Sequence, residues 1–153
     1  MNSTAGSAID GVRVIALKVI PNERGRLMEI QRRDDVHFLG FGQVYLTATL
    51  PGVIKAWYRH REQFDQLAVA RGLLKLALYD ARADSPTRGA VQVIHLGEAA
   101  PQLVQVPPGI WHGFQAMGAT EALALHLNTE PFRFDAPDEE RLPTHSDVVP
   151  YRW

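Results

Sequence analysis

Cysteine is absent from all 153 residues. That single lack removes disulfides, thiolate nucleophiles and zinc–thiolate clusters together. An excess of one charge is also missing: 16 Lys and Arg against 17 Asp and Glu give a net charge of -1. So balanced a chain offers no broad basic platform for nucleic acid, although a local basic cluster still suffices for a phosphorylated small molecule. No apolar run approaches the roughly 20 residues of a membrane-spanning helix. Residues 1–8 are small and polar, without the apolar segment of a secretory leader, so the expectation is a cytoplasmic protein with no membrane partner. What is present is 46% hydrophobic and 22% charged residues, the balance of a globular protein rather than a disordered one. A chain of this length fits one domain and buries about two-thirds of its unfolded surface without staples.

The hydrophobic period that recurs is two. Val12, Val14 and Ala16 alternate with Arg13, Ile15 and Leu17. Extended runs follow over 43–50, 53–58, 64–70, 73–79, 91–96, 103–106 and 122–127. Turn signals separate them: Asn22-Glu23-Arg24-Gly25, Pro51-Gly52, Arg71-Gly72, Asp84-Ser85-Pro86-Thr87 and Pro107-Pro108-Gly109. Short strands punctuated so regularly predict an all-β sandwich or barrel. Residues 135–142 are the best helix candidate, because Pro137 suits a first turn and the acids beside it suit a helix N-terminus. The organisation expected is a single domain over 1–153, with a flexible N-terminus over about 1–10 and a C-terminal extension over about 135–153. The extension carries Val148, Val149, Tyr151 and Trp153, which are expected to dock on a sheet or a partner subunit.

Two segments carry the chemistry. In Pro108-Gly109-Ile110-Trp111-His112-Gly113-Phe114 a tight turn leads into a strand that starts with a histidine aimed inward. In the stretch from Gly52 to Gly72, Tyr58 and His60 lie two apart and share one face of a regular strand, with Asp65 following. Gly52, this ring pair, Asp65, Gly72 and then Pro108-Gly109-x-x-His112 resemble the two cupin motifs. Four stretches are similar to the dTDP-4-dehydrorhamnose 3,5-epimerase family: Glu23-Arg24-Gly25; Gln43-x-x-x-Thr47-x-x-x-x-Gly52-Val53; Asp80-x-Arg82-x-x-Ser85-x-Thr87-x-Gly89; and Pro108-x-x-x-His112-Gly113-Phe114. The resemblance covers nearly the whole chain. It implies a cupin-type double-stranded β-helix (a jelly-roll barrel), here with a short C-terminal helical segment. It further implies a homodimer that acts on a nucleotide-linked 4-keto-6-deoxy sugar with no metal and no cofactor.

Epimerisation beside a ketone needs a base for the α-proton, a cation or donor for the enolate oxygen, and an acid on the opposite face. The resemblance implies a histidine base with a supporting aspartate, a lysine near the oxygen and a tyrosine acid. In this chain Tyr58 stands at the base position and Asp65 at the lysine position. Phe132 stands at the acid position, and Asp147 at that of the supporting aspartate. Free tyrosine titrates near 10 and histidine near 6.5, so Tyr58 suits an acid or hydrogen-bond donor better than a neutral-pH base. His60 is the candidate replacement base, its tautomer set by Asp65 or Asp147. Arg24, Gln43 and His112 match substrate-binding positions, and Lys55 replaces a binding arginine. Arg24 and Lys55 together suit a diphosphate. Strand parity points Lys55 away from Tyr58, yet the resemblance puts both in the pocket, which predicts a bulge between them.

Two other readings stand beside this one. Tyr58, His60, Asp65 and His112 fall where cupins hold a metal, and such nitrogen and oxygen donors suit iron or manganese. A non-catalytic homologue that binds a sugar nucleotide would keep the barrel without the chemistry.

Overall fold

The alternation becomes twelve β-strands in the computed structural model, which describes residues 8–153. In chain order they are β1 (Arg13–Ala16), β2 (Val19–Asn22), β3 (Gly25–Met28), β4 (Gln43–Thr49), β5 (Ile54–His60), β6 (Asp65–Arg71), β7 (Leu73–Asp80), β8 (Val91–Gly97), β9 (Gln102–Val106), β10 (Ile110–Met117), β11 (Ala122–Asn128) and β12 (Glu139–Arg141). One sheet runs β1-β9-β6-β11-β4 and faces a second that runs β12-β5-β10-β7-β8, while β2 and β3 form a separate hairpin. This is the all-β jelly-roll expected of a cupin, and the described residues contain no helix.

The core lies between the two sheets because alternate residues of each strand point there. Leu67 and Val69 of β6 meet Leu74, Leu76 and Leu78 of β7 and Val104 and Val106 of β9, all 3% exposed or less. Each such side chain contributes about 1.5–3 kcal/mol on burial. Strand β6 is buried on its other face as well, where Gln66 lies with no exposure. Its amide oxygen accepts from Gln105 at 2.8 Å and from Gln31 at 2.9 Å, so the segment ahead of β4 covers this sheet through satisfied polar groups.

The expected helix over 135–142 does not form. Residues 139–141 instead pair as β12 with the open edge of β5, Glu140 opposite Arg59. An unpaired strand edge beside a short, proline-interrupted segment favours ladder hydrogen bonds over an isolated helical turn. The rest of the tail docks on the chain's own sheet: Val149 is fully buried, and Trp57 contacts the rings of Tyr151 and Trp153. At the other end, residues 1–7 of the expected flexible terminus lie outside the described residues. The described remainder is held, with Ile9 2% exposed and the Asp10 carbonyl accepting from Arg82 at 2.7 Å.

The Asp80 motif is a polar knot that closes the β7–β8 turn. The Asp80 carboxylate, with no exposure, accepts from Arg82 Nε, Ser85 Oγ and Thr87 Oγ1 at 2.9, 2.5 and 2.8 Å. Burial pushes its pKa up, but these donors outweigh burial and hold it below the usual carboxylate range.

Candidate active site

Strands β5 and β10 pair antiparallel with His112 opposite Tyr58 and Phe114 opposite Lys55. Two steps along β10 therefore match three along β5, which is the expected bulge. Its effect is to turn Lys55 onto the same face as Tyr58 and His60, and all three line one cavity. Gly113 sits opposite the bulge, where a Cβ would come within 2.3 Å of the Ala56 Cβ. Only glycine lets the two backbones approach this closely. Just ahead of β10, Gly109 takes a φ of 87° and donates its N–H to the His60 carbonyl at 2.8 Å. The turn thus ties the two sequence motifs together and sets the His60 and His112 rings 5.9 Å apart.

The cavity has an inner lobe of about 210 Å³ and an outer lobe of about 310 Å³. Lys55, Tyr58, Asp65 and His112 line the inner lobe; Gln43, Phe132 and Arg133 line the outer; Tyr45 and His60 line both. In the inner lobe, the His112 Nδ1 lies 3.0 Å from the Ile110 carbonyl and its Nε2 lies 2.9 Å from Asp65 Oδ2. Both ring nitrogens therefore face acceptors, the arrangement that stabilises an imidazolium beside a carboxylate. Burial opposes the charge on each partner, but the mutual hydrogen bond and attraction prevail: the Asp65 pKa is held well below its usual value and that of His112 is raised. His126 lies beyond Asp65, its Nδ1 3.5 Å from Asp65 Oδ1, and stacks on the Tyr45 ring at 4.5 Å.

His60 behaves differently. Burial lowers its pKa against the raising effect of Asp65, which leaves the ring neutral at pH 7 and able to accept a proton. The acid beside it is Asp138, 3.9 Å from its Nδ1. Asp138 also accepts the backbone N–H groups of Arg61, Glu62 and Gln63, so the segment entering β12 is pinned to the loop that follows His60. Tyr45 is protonated at neutral pH, since burial first and Asp65 second push it up to about 12.

Six of the eight residues singled out in the sequence meet in this cleft: Gln43, Lys55, Tyr58, His60, Asp65 and His112. Arg24 and Asp147 do not. Arg24 sits 85% exposed at the tip of the β2–β3 hairpin. Asp147 is fully exposed and pairs with Arg152 on the outside of the docked tail, so Asp138 rather than Asp147 lies beside the histidine. Gln43 orients a mouth loop by accepting the Phe132 N–H at 2.8 Å. The sequence reading passed over Tyr45, His126, Asn128 and Asp138. Tyr45 was findable, since strand parity places it on one face with Gln43 and Thr47.

The chain also matches known proteins over nearly its whole length. Residues 6–148 match the family model for dTDP-4-dehydrorhamnose 3,5-epimerase. A probable low-salt glycan biosynthesis epimerase of Haloferax volcanii is 37% identical over 147 residues, covering 95% of this chain and 94% of that protein. A spore coat polysaccharide biosynthesis protein of Bacillus subtilis is 35% identical over 145 residues, covering 95% and 96%. The crystal structure of a dTDP sugar isomerase from Desulfovibrio desulfuricans superposes with a TM-score of 0.91 at 34% identity, covering 95% of this chain and 92% of that one.

Proposed function

Because the chain belongs to the dTDP-4-dehydrorhamnose 3,5-epimerase family, we propose that it inverts a carbon beside the ketone of a nucleotide-linked 4-keto-6-deoxy sugar, with His60 as the base. The observation that carries this reading is the convergence of Tyr58, His60 and His112 in one lobe, where the bulge in β5 adds Lys55. His60 is neutral and lines both lobes, so its imidazole suits removal of the α-proton. Tyr58 shares the β5 wall and donates its O–H to a sugar oxygen. Lys55 and Arg141 are the cations on the inner lobe and offset negative charge on the enolate oxygen. The Asp65–His112 pair fixes the floor of the lobe. In the outer lobe, Arg133 supplies positive charge for the diphosphate. The working unit is a cytoplasmic homodimer in this proposal. Its support is the exposed apolar side chains Val44 and Leu46 along the edge strand β4 and Ile20 and Leu27 on the hairpin.

The test is solvent deuterium incorporation into a panel of nucleotide-linked 4-keto-6-deoxy sugars, beginning with the dTDP-linked glucose derivative. Mass spectrometry is expected to show at least one deuteron gained per turnover. Binding without exchange across the panel would instead make the chain a sugar-nucleotide-binding protein.

A second reading has its own observation. One ligand atom from each of His60, Asp65 and His112 lies within 4.8 Å of the others, and the buried Asp65 Oδ1 and His60 Nδ1 have no hydrogen-bond partner among the described residues. Two imidazoles and a carboxylate fit a divalent metal, which would supply Lewis-acid polarisation of the sugar ketone. Titration of chelator-treated protein with Mn(II) and Co(II) separates the readings: one tight site per chain, lost in Asp65→Asn, favours the metal.

A further inference from the structure

Inversion, as opposed to mere proton exchange, requires two groups on opposite faces of the sugar ring. One removes the α-proton, and the other delivers a proton to the same carbon from the far side. His60 and Tyr58 project from β5, in the sheet β12-β5-β10-β7-β8, and so attack from one wall only. The opposite wall is the sheet β1-β9-β6-β11-β4. The aromatic position at the mouth, Phe132, has no hydroxyl and carries no transferable proton.

Among the groups this second wall sends to the cleft, Tyr45 of β4 has the needed properties together. It lines both lobes, as His60 does, so a sugar ring seated between the sheets meets both side chains. It is held rigidly from β11: His126, its register partner, stacks on the phenol at 4.5 Å with the planes 10° apart. Asn128 donates from Nδ2 to the phenol oxygen at 3.4 Å. Because that oxygen accepts from Asn128, its own hydrogen is left to point into the cleft. Thr47 of β4 also lines the inner lobe, but its aliphatic hydroxyl is a far weaker acid than a phenol, and the titratable groups of this wall other than Tyr45 are engaged or covered. Asp65 is bound to His112, and His126 is covered by Tyr45 itself.

We propose that Tyr45 is the acid that protonates the enolate carbon on the face opposite His60. The proposal rests on the epimerase reading and adds the residue that makes the reaction an inversion. In the first step His60 takes the α-proton, and the C–H electron pair becomes the double bond of an enolate whose oxygen carries the negative charge. In the second step that double bond takes the proton of the Tyr45 O–H, which forms the new C–H bond, restores the ketone and leaves a phenolate. Solvent then moves a proton from the His60 imidazolium to the phenolate, and no other reactant is consumed. Tyr45 is 40% exposed, so it can reach a bound sugar, and it is protonated at neutral pH, the form this role requires.

The test compares wild type, Tyr45→Phe and Tyr58→Phe in deuterium oxide, on whichever sugar of the panel the wild type turns over. Two quantities are read: deuterium entering the starting epimer, and appearance of the inverted epimer. Tyr45→Phe is expected to keep deuterium entry within about threefold of wild type, because His60 returns a solvent deuteron to the same face. Inversion by the same variant is expected to fall by at least about 100-fold, the range for loss of a general acid. Tyr58→Phe is expected to lower both quantities together. Inversion by Tyr45→Phe within threefold of wild type would overturn the proposal, as would equal loss of exchange and inversion. Circular dichroism and the thermal midpoint of Tyr45→Phe establish that the variant is folded. Absence of exchange in the wild type itself removes the epimerase reading and this inference with it.

Discussion

At the scale of single residues, the proposed mechanism turns on Tyr58, which stands where the family resemblance expects the base histidine, with His60 two positions along the same strand. Tyr58 and His60 both reach the cleft, so β5 still presents an imidazole to it. Two predictions follow from this placement. Tyr58→His puts a second imidazole from β5 against the inner lobe and is expected to raise solvent exchange about tenfold, measured as deuterium gained per minute. His60→Asn is expected to lower exchange by about 100-fold or more, the usual cost of removing a general base. Most of these side chains were legible in the sequence, since i and i+2 spacing in a strand guarantees a shared face. Asp138 was not. It reaches His60 only because β12 pairs with β5 from far along the chain, and no local pattern encodes such a contact.

At the scale of elements, the β5 bulge and the glycine opposite it decide whether Lys55 joins the site. Gly113→Val forces a side chain into the Ala56 backbone, whose Cα lies 2.8 Å from the added Cβ. The expected cost is about 3 kcal/mol of overpacking, or about 6–12 °C in the thermal midpoint, with loss of exchange as the bulge shifts. The β7–β8 turn offers an independent check. Asp80 has a folded-state pKa below its unfolded value, so its stabilisation is complete above the unfolded pKa of about 3.9 and is lost as pH falls toward the folded one. Asp80→Asn is expected to destabilise the protein by about 2–3 kcal/mol at pH 7, with the gap to wild type closing as urea melts are taken from pH 5 down to pH 2. This motif read in the sequence as part of the functional signature; the structure gives it a role in closing a turn. The bulge was legible because parity and resemblance disagreed at Lys55. The helix expected over 135–142 failed because an open strand edge, invisible in the local sequence, competed for the same backbone.

At the scale of the whole molecule, the two sheets bring facing walls to a single cleft, and each wall carries a different chemistry. One holds the neutral His60 with Tyr58 and Lys55; the other holds Tyr45, backed by His126 and Asn128. The jelly-roll was legible because strand-turn punctuation is local, whereas the pairing of β2 with β3 outside both sheets was not. That hairpin carries Arg24 away from the cleft of the same chain. A second copy seated on β4 and the hairpin is the arrangement that the exposed Val44, Leu46, Ile20 and Leu27 support. Light scattering is expected to give twice the 17.1 kDa chain mass, falling to the monomer value in Leu46→Glu.

The most direct measurement is the rate of deuterium entry into the α-position of a 4-keto-6-deoxy sugar nucleotide, compared between wild type and His60→Asn at matched protein concentration and pH. Label entering with wild type and lost by two orders of magnitude in the variant is the predicted result. Entry by His60→Asn within threefold of wild type would contradict the assignment of the base.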